Sequence, residues 1–466
     1  MTEILDKNLR GIAQSIIQGE ITSVALVQGF LDRIDKVNPV LNAFVLSNAE
    51  IALKQAAKAD EDLKKGLVHG PLHGIPMTIK DSLDTKDMVT TWGTKGREAF
   101  RPGRDATCVA RLRDAGAILL GKTNTPEFTL SFQTDNLVYG RTNNPFDLAL
   151  TPGGSSGGAA ALLAANATPF DIGTDTGGSI RLPAHFCGIA GIKPTTGRVP
   201  CTGNALPASG ILAPLSQPGP LARSVDDLAL LLQIIQGPDL LDPYVVDAPW
   251  HSPEAVDTSR LRIGFHTDNG IATPDSSITS AILNTVSLMK DDGFQVSEAR
   301  PAGIEMAVLI YSAIFGADAG DTVQLLLDDC RTTEYSPQIA EMVSDARREN
   351  RQNGTQVINL WDNYRSSMLS YFEDFDILIC PVNSHTAIAH GQTENMMDYS
   401  YTCAFNLTGW PGLVIRCGTD DAGLPIGLQI LARPFREDHC LAIGTKLESL
   451  LSTAMGPFST PPVFAG

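Results

Sequence analysis

Residues 169–181 read PFDIGTDTGGSIR, and this stretch decides both the fold class and where a reactive site should lie. Its first half, Pro169 to Thr174, has the apolar character of a short buried strand, and two glycines follow before Ser179. A serine in a glycine turn at the end of a strand indicates a nucleophile. None of the eight histidines lies within the stretch, and the nearest, His185, stands beyond a proline. The base that would activate Ser179 must therefore come from another part of the chain.

Short apolar strands alternate with helical patterns from about residue 71, after a first segment, 1–66, that reads as helices. This alternation predicts an α/β sheet with helices on its faces. The Pro- and Gly-rich segment 200–222 is predicted to cross the surface. The predicted strands are Pro76–Asp81, Ala117–Leu120, Pro169–Thr174, Leu261–Phe265, Ile377–Pro381, Gly412–Gly418 and Pro425–Leu431. The predicted helices are Thr22–Val37, a helix from a capping box at Ser47-Asn-Ala-Glu50 to Gly66, Asp105–Ala115, Ser156–Ala165, Ser224–Ile235, Ser277–Asp292 and Ile304–Leu327.

The charge balance and the cysteines exclude several kinds of function. A formal net charge of -17 argues against binding of DNA or RNA, which needs clustered lysine and arginine. No basic stretch followed by an apolar run opens the chain, and no window approaches about 18 uninterrupted apolar residues. We therefore expect a cytoplasmic protein that does not span a membrane. The eight cysteines form no C-x-x-C pair, which predicts buried thiols and neither a zinc site nor a redox motif.

Two short motifs match known sites by their letters but not by their context. Gly116–Thr123, GAILLGKT, fits the phosphate-loop pattern, which needs a strand before it and a helix after it. Here a helix is predicted before it, and its central residues form a buried strand. Ser287-Leu-Met-Lys290 fits the S-x-x-K pattern, but its companion motifs are missing and it lies late in an amphipathic helix. We interpret it as a solvated helix end.

A third motif, Gly153-Gly-Ser-Ser-Gly157, fits the G-x-S-x-G nucleophile elbow, with Ser155 as the nucleophile. Such an elbow needs an acid and a histidine further along, and Asp376 and His439 stand in the required order. The alternative is a glycine-rich turn that leads into the small-residue helix Ala159–Ala165. The motif alone leaves both interpretations open.

A lysine connects the two serines into one pattern. Ser155 and Ser179 are separated by enough residues for one helix and one strand, so both can return to the same edge of the sheet. Lys80 ends an apolar strand in which side chains alternate between faces, so its ammonium group should enter a confined space. Desolvation lowers the pKa of a lysine and can make it a base near neutral pH. The alternative is an ordinary lysine paired with Asp81 or another carboxylate, and the residues leave both open.

Four motifs occur along the chain: GIPMTIKD, GKTNTPEF, NPFD...TPGGSSGGAAA and GTDTGGSIRLPAHFCGIAGIKPTTGRV. Together they closely resemble the amidase signature family of serine hydrolases. The resemblance is dense from about 70 to 223, resumes weakly from 377 to 448, and is not obvious from about 240 to 375, which leaves the substrate undefined.

The resemblance implies the family's fold, a single large α/β domain with a mixed, twisted central β-sheet covered by helices on both faces. The expected divisions of the domain 1–466 are an N-terminal helical segment 1–66, a signature core 70–223, a variable substrate-side region 240–375 and a C-terminal return to the sheet 376–466.

The resemblance also implies a Ser-cis-Ser-Lys triad, which falls on Lys80, Ser155 and Ser179. Ser179 attacks the carbonyl carbon, Ser155 takes its proton and hands another to the leaving amine, and neutral Lys80 is the final acceptor. The family's cis peptide bond would join Gly154 to Ser155. Consecutive small residues can aim several amides at one point, as an oxyanion hole requires. The hole falls on Thr176, Gly177, Gly178 and Ser179, the supporting residues are Gly154, Thr174, Asp175 and Arg181, and the substrate contacts are Thr129, Leu130 and Phe132.

The activity implied is that of an amidohydrolase, which cleaves a carboxylic amide C–N bond through an acyl-enzyme on Ser179 and releases ammonia or an amine. No cofactor and no metal are expected, and the expected substrate is a small-molecule amide or carbamate. Three alternatives stay open: a carbamate or ester hydrolase with the same triad, the catalytic subunit of the glutamyl-tRNA amidotransferase, and a non-catalytic binding protein. The amidotransferase subunit typically has Asp-Glu-Phe-Ala where this chain has Thr125-Pro-Glu-Phe-Thr, and it needs a partner protein. A homodimer is also left open, because an interface helix and a core helix share one pattern.

Overall fold

Two sheets, one of three strands and one of eight, organise the computed structural model, which describes residues 2–206, 209–347, 352–393, 395–456 and 461. Within these residues the strands are β1 (Phe44–Ser47), β2 (Pro76–Lys80), β3 (Ile118–Thr123), β4 (Phe170–Asp175), β5 (Ala190–Lys193), β6 (Gln217–Ala222), β7 (Ile263–Phe265), β8 (Val296–Glu298), β9 (Ile377–Pro381), β10 (Gly412–Thr419) and β11 (Pro425–Ala432). The α-helices are α1 (Thr2–Leu5), α2 (Leu9–Ile17), α3 (Ser23–Leu41), α4 (Ala49–Lys64), α5 (Thr107–Asp114), α6 (Gly157–Ala164), α7 (Arg181–Cys187), α8 (Val225–Ile235), α9 (Ser276–Asp291), α10 (Ala307–Asp318), α11 (Asp321–Cys330), α12 (Pro337–Arg347), α13 (Gly354–Leu369), α14 (Tyr371–Asp374), α15 (Ser400–Thr408) and α16 (Glu437–Met455).

The large sheet is mixed, with the strand order β4-β6-β5-β10-β11-β9-β7-β8. Its ladders from β4 to β9 are antiparallel, and those of β7 with β9 and with β8 are parallel. The small sheet has the order β1-β3-β2. Its edge strand β2 lies against β4, the edge strand of the large sheet. This seam between the two sheets is where Lys80 ends β2.

Helices cover both faces of the large sheet because its central strands are apolar on both sides. On β10, Leu413 and Ile415 belong to a core that also contains residues of α8, α9 and α16. Val414, between them, packs with residues of α6 and α7 on the opposite face. The α/β class, with a mixed sheet between helical layers, is therefore confirmed.

The prediction that 200–222 only crosses the surface is wrong, because its last part forms β6, which is buried between β4 and β5. Prolines cannot donate to a ladder and are rare inside sheets. The pairs between β6 and β5 involve only Leu221 and Ala222, which leaves Pro218 and Pro220 outside that ladder. The short strands β1, β5 and β8 were likewise not predicted.

Two helix predictions are also corrected. The stretch Ile304–Leu327 is not one helix, because the chain turns at Ala319 and Gly320, both with positive φ, between α10 and α11. Ser47 is not the cap residue of α4: it ends β1, and its Oγ accepts from the Ala49 amide at 3.3 Å, while the cap residue Asn48 makes no side-chain capping bond.

The eight cysteines are free and buried, as predicted. Among the described residues, no single helix has both the length and the apolar character to cross a membrane, although one bent pair, Ile304–Asp318 with Asp321–Cys330, meets that test jointly. The division of the chain into the four segments above stays a prediction. The last of these segments includes 457–460 and 462–466, which lie outside the described residues.

Candidate active site

Lys80 is completely buried at the end of β2, and its ammonium nitrogen lies among hydroxyl groups. Nζ is 2.7 Å from Ser155 Oγ, 3.0 Å from Ser156 Oγ and 2.9 Å from Thr174 Oγ1. The strand places it there by alternation, because Met77 and Ile79 enter the core on the other face. A lysine that donates to hydroxyls at this depth is positioned to exchange protons with them.

The alternative of an ordinary Lys80–Asp81 pair does not describe the structure. Asp81 accepts hydrogen bonds from the amide and hydroxyl of Thr91, and its carboxylate lies 3.7 Å from Lys122 Nζ. Burial lowers the pKa of Lys80 well below its ordinary value, and the carboxylates of Asp175 and Asp171 oppose this shift. A lysine with a lowered pKa can be neutral near physiological pH and can then act as a base.

Ser155 and Ser179 come from two loops that touch. Ser155 follows a cis peptide bond with Gly154, just before α6, and Ser179 lies between β4 and α7. The amide of Ser156 donates to the carbonyl of Ser179 at 3.1 Å, which joins the loops beside the two serines. Lys80 and Ser155 are 0% exposed, whereas Ser179 is 5% exposed. Of the three predicted triad residues, Ser179 is thus the one with some access to solvent, as a nucleophile that meets a substrate requires.

The residues around the predicted oxyanion hole are held by hydrogen bonds to their carbonyl groups. Tyr311 Oη donates to the carbonyl of Thr176 at 3.3 Å, and the amide of Leu182 donates to the carbonyl of Gly178 at 2.7 Å. In a trans peptide the carbonyl and the next amide point in opposite directions. These two bonds therefore turn the amides of Gly177 and Ser179 away from Tyr311 and α7.

The Gly178 amide has a partner already, because it donates to Asp175 Oδ1 at 2.8 Å. The carbonyl in the same peptide, that of Gly177, accepts from Thr402 Oγ1 at 2.7 Å. Gly178 has φ 133°, and a Cβ added to it would lie 2.4 Å from Thr402 Oγ1, so only glycine fits. Three amides of the predicted set remain as candidate oxyanion donors: those of Thr176, Gly177 and Ser179.

Asp175 and Arg181 form a buried ion pair beneath this loop. Arg181 Nη2 and Nε each donate to the carboxylate at 3.0 Å, and the amide of Ile180 donates at 3.1 Å. Burial alone would raise the pKa of Asp175, but Arg181 and Asn406 outweigh it and hold that pKa well below its ordinary value. The carboxylate is therefore charged and fixes both ends of the turn that carries Ser179.

Three groups that sequence reasoning did not assign complete this support. Asn406 donates to Asp175 Oδ1 at 2.8 Å and accepts from Arg181 at 2.6 Å. Gln429 accepts from Arg181 at 3.2 Å, and Tyr311 holds the Thr176 carbonyl. Asn406 and Gln429 lie within the weakly matching C-terminal motifs, which was the available signal. Tyr311 lies in the non-matching region 240–375, where no signal existed.

The predicted substrate contacts lie in different surroundings. The ring of Phe132 stacks on Tyr399 with 3.8 Å between centroids, and its Cζ would be 3.2 Å from a Cβ at Gly177. Phe132 is thus next to the loop Thr176–Ser179, which carries the predicted oxyanion donors. Leu130 packs in an apolar cluster with residues of α11 and α12. Thr129 is buried with φ 66°, and its hydroxyl makes no hydrogen bond to any described residue.

The histidine-based alternatives are not assembled. His185 Nδ1 accepts from the Gly427 amide at 2.7 Å, and burial lowers the pKa of His185 to about 4. In the elbow alternative, Asp376 pairs instead with Arg262, and His439 contacts Arg436. The residues Ile118–Thr123 of GAILLGKT form β3, and Lys290 is an exposed residue of the last turn of α9, as interpreted from the sequence. No group of His, Cys, Asp or Glu side chains in the described ranges could hold a metal ion.

Comparisons of the sequence and of the structure with known proteins agree on one family. A family model described as Amidase matches residues 25–441. The chain is 36% identical over 480 residues to one subunit of the glutamyl-tRNA(Gln) amidotransferase of Roseiflexus sp. (strain RS-1), covering 95% of this chain and 96% of that protein. Among solved structures it is similar to 6-aminohexanoate cyclic dimer hydrolase complexed with substrate (TM-score 0.88, 26% identity, 98% and 99% coverage). It is also similar to a bacterial aryl acylamidase of the amidase signature family (TM-score 0.89, 25% identity, 99% and 98% coverage).

Proposed function

The chain belongs to the amidase family of hydrolases acting on amide C–N bonds, as its motifs predicted, and we propose that it cleaves a small-molecule carboxylic amide through an acyl-enzyme on Ser179. One observation carries the proposal: Lys80 Nζ lies 2.7 Å from Ser155 Oγ in a buried, hydroxyl-lined position, and the adjoining residue Ser156 is hydrogen bonded to Ser179. Because burial favours the neutral form of Lys80, this lysine can act as the base, a role that no histidine fills at this site.

In the first half of the reaction, Ser179 Oγ forms a bond to the substrate carbonyl carbon. Its proton passes to Ser155 Oγ, whose own proton passes to neutral Lys80. The carbonyl oxygen becomes an oxyanion, stabilised by the proposed amide donors of Thr176, Gly177 and Ser179. The C–N bond then breaks, and the nitrogen takes a proton from Ser155, which is reprotonated by the Lys80 ammonium. An amine or ammonia leaves, and the acyl group remains as an ester on Ser179.

In the second half, water attacks the ester carbonyl and gives up a proton through Ser155 to Lys80. The bond between the acyl group and Ser179 Oγ breaks, and the serine is reprotonated by the same route in reverse. The carboxylic acid leaves, and Lys80 is again neutral. Asp175 and Arg181 keep the loop in place throughout, and no step of this scheme requires a cofactor.

The test is a panel of aliphatic, aromatic and peptide amides, with aryl carbamates and esters alongside, in which release of ammonia, amine or alcohol is measured. We expect turnover of at least one amide by the parent protein and none by Ser179→Ala with an unchanged melting temperature. Turnover of carbamates or esters alone would favour that alternative within the same triad. Equal amide turnover by Ser179→Ala would overturn the proposal.

A second candidate is the catalytic subunit of a glutamyl-tRNA amidotransferase, favoured by the 36% identity over nearly the full length of such a protein. Against it stands the Thr125-Pro-Glu-Phe-Thr sequence at the position of the usual Asp-Glu-Phe-Ala run. Glutamine hydrolysis discriminates the two. A strong increase in glutaminase activity on addition of the other amidotransferase subunits would establish the second candidate, and amide turnover by the chain alone supports the first. The homodimer and the cytoplasmic location stay predictions.

A further inference from the structure

One buried carboxyl group connects the two sheets at the seam beside the site. Asp171 on β4 accepts a hydrogen bond from the backbone amide of Lys80 on β2, with 3.0 Å between N and Oδ1. Its other oxygen, Oδ2, accepts from Thr78 Oγ1 at 2.6 Å and from Thr123 Oγ1 at 3.0 Å. Asp171 is 0% exposed, and the reaction scheme above gives it no part. It thus contacts β2 and β3 of the small sheet from the edge of the large one.

This position matters because β2 and β4 belong to different sheets and share no strand ladder. Side chains must therefore set the separation between Lys80 and the residues leading to Ser179. The bond from Asp171 reaches the backbone of Lys80 itself, and Thr174, further along β4, contacts Lys80 Nζ. β4 thus fixes both ends of the lysine.

We propose that Asp171 is a positioning residue for the reaction: it holds the backbone of Lys80 at the seam and, when ionised, places a negative charge near the lysine that accepts the proton. The inference rests on the proposed function, because it assumes that Lys80 is the base.

Electrostatics around the seam support this role. Burial raises the pKa of Asp171 to about 7, against the opposing effects of its three hydrogen bonds and of Lys122. The Asp171 carboxylate in turn raises the pKa of Lys80. Since Lys80 becomes an ammonium during the attack, a carboxylate nearby stabilises the state that the reaction forms. The other charged groups facing this region are Asp175 on β4, Lys122 on β3 with Asp81, and, beyond Asp175, Arg181 and Lys193.

The experiment measures the rate at which a fluorophosphonate probe labels Ser179 as a function of pH. Asp171→Asn keeps the shape and an acceptor for the Lys80 amide but removes the charge. The acid limb of this profile is the range in which the labelling rate rises with pH. In Asp171→Asn we expect this limb to move to lower pH by about 1 pH unit or more, because removal of a nearby negative charge lowers the pKa of Lys80. The plateau rate should also fall. Thr123→Val removes one hydrogen-bond donor to the Asp171 carboxyl and therefore makes that carboxyl harder to ionise. It should also shift the acid limb to lower pH, but by less than Asp171→Asn.

Asp227→Asn is the matched control, because Asp227 is also a buried carboxyl that accepts a backbone amide, that of Leu9 at 2.7 Å, but on α8. It should leave the limb unmoved. If the parent protein shows an acid limb and neither Asp171→Asn nor Thr123→Val moves it, the role of Asp171 is overturned, while the proposed function stands. If Asp171→Asn does not fold, Thr123→Val decides. A parent protein that is not labelled at Ser179, or has no acid limb, overturns the proposed function and this inference with it.

Discussion

Among single residues, we expect Lys80 to determine the pH range in which the proposed site works. Its pKa is lowered because the ammonium form loses hydration in a buried position and has hydroxyl groups, not carboxylates, as its nearest partners. Proton acceptance requires the neutral form. The rate should therefore rise with pH through the pKa of Lys80 and stay high above it, and this limb should lie far below the pKa of an exposed lysine.

We predict that Lys80→Met abolishes this dependence together with most of the activity. Methionine matches the length of the lysine stem but accepts no proton, so kcat should fall by about 10⁴ or more. The melting temperature should be maintained, since no buried carboxylate loses an ion-pair partner. The check is a profile of kcat/KM against pH for the best amide of the panel. Retention of an acid limb and near-parent kcat in Lys80→Met would contradict the assignment of the base.

Asp175 links the same site to stability. Asp175→Asn leaves the Arg181 guanidinium buried without a counter-charge, and we expect the free energy of unfolding to drop by about 3–5 kcal/mol at neutral pH. The folded-state pKa of Asp175 is lowered, so its contribution is complete above the unfolded pKa of about 3.9 and is lost as pH falls toward the folded value. Denaturant unfolding of the parent and variant should therefore differ most near pH 7 and converge in acid.

Asp257→Asn, in an exposed pair with Arg260, is the control and should behave like the parent. A constant difference between parent and Asp175→Asn over the whole pH range would show that the ionised carboxylate is not what stabilises the loop.

Among the helices and strands, those with a local apolar pattern could be predicted from the sequence, and those that depend on distant contacts or on backbone conformation could not. Apolar runs were sufficient to predict β2, β4, β10 and β11, and the motifs placed Lys80, Ser155 and Ser179 at the ends of elements. β6 was missed because Pro218 and Pro220 read as a loop, although the ladder with β5 does not need their amides. The break between α10 and α11 depends on the positive φ of Ala319 and Gly320, and Gly320, a residue typical of helix ends, was the one available signal for it.

The helix α10 gives rise to a specific prediction, because its Tyr311, from the non-matching region, contacts the loop Thr176–Ser179 that carries the predicted oxyanion donors. Tyr311→Phe removes the hydroxyl that holds the Thr176 carbonyl at 3.3 Å and keeps the ring. A neutral hydrogen bond contributes about 0.5–1.5 kcal/mol, so kcat should fall by up to about tenfold, with KM nearly unchanged. Steady-state kinetics of the variant are the check, and Tyr364→Phe, whose hydroxyl contacts the Ala404 carbonyl, is the control. A rise in KM at unchanged kcat would assign Tyr311 to substrate binding instead.

For the whole molecule, the site is assembled from chain segments that only the complete fold brings together. Lys80 comes from the small sheet, Ser155 and Ser179 from loops around α6 and β4, and Asn406 and Gln429 from near the C-terminal end. Sequence motifs predicted the family, which the comparisons confirm, and the three residues of the proposed triad, since both depend on short patterns within one segment. They could not predict the Asp171 seam or the Asn406 and Tyr311 contacts, which join residues far apart in the chain.

The most direct test of this assembly is peptide mapping by mass spectrometry after treatment with a fluorophosphonate probe. The account predicts an adduct on Ser179 in the parent protein, none in Ser179→Ala, and labelling slowed by about 100-fold or more in Ser155→Ala and Lys80→Met. An adduct on Ser155, or labelling of Ser155→Ala and Lys80→Met at the parent rate, would contradict the proposed relay from Ser179 through Ser155 to Lys80.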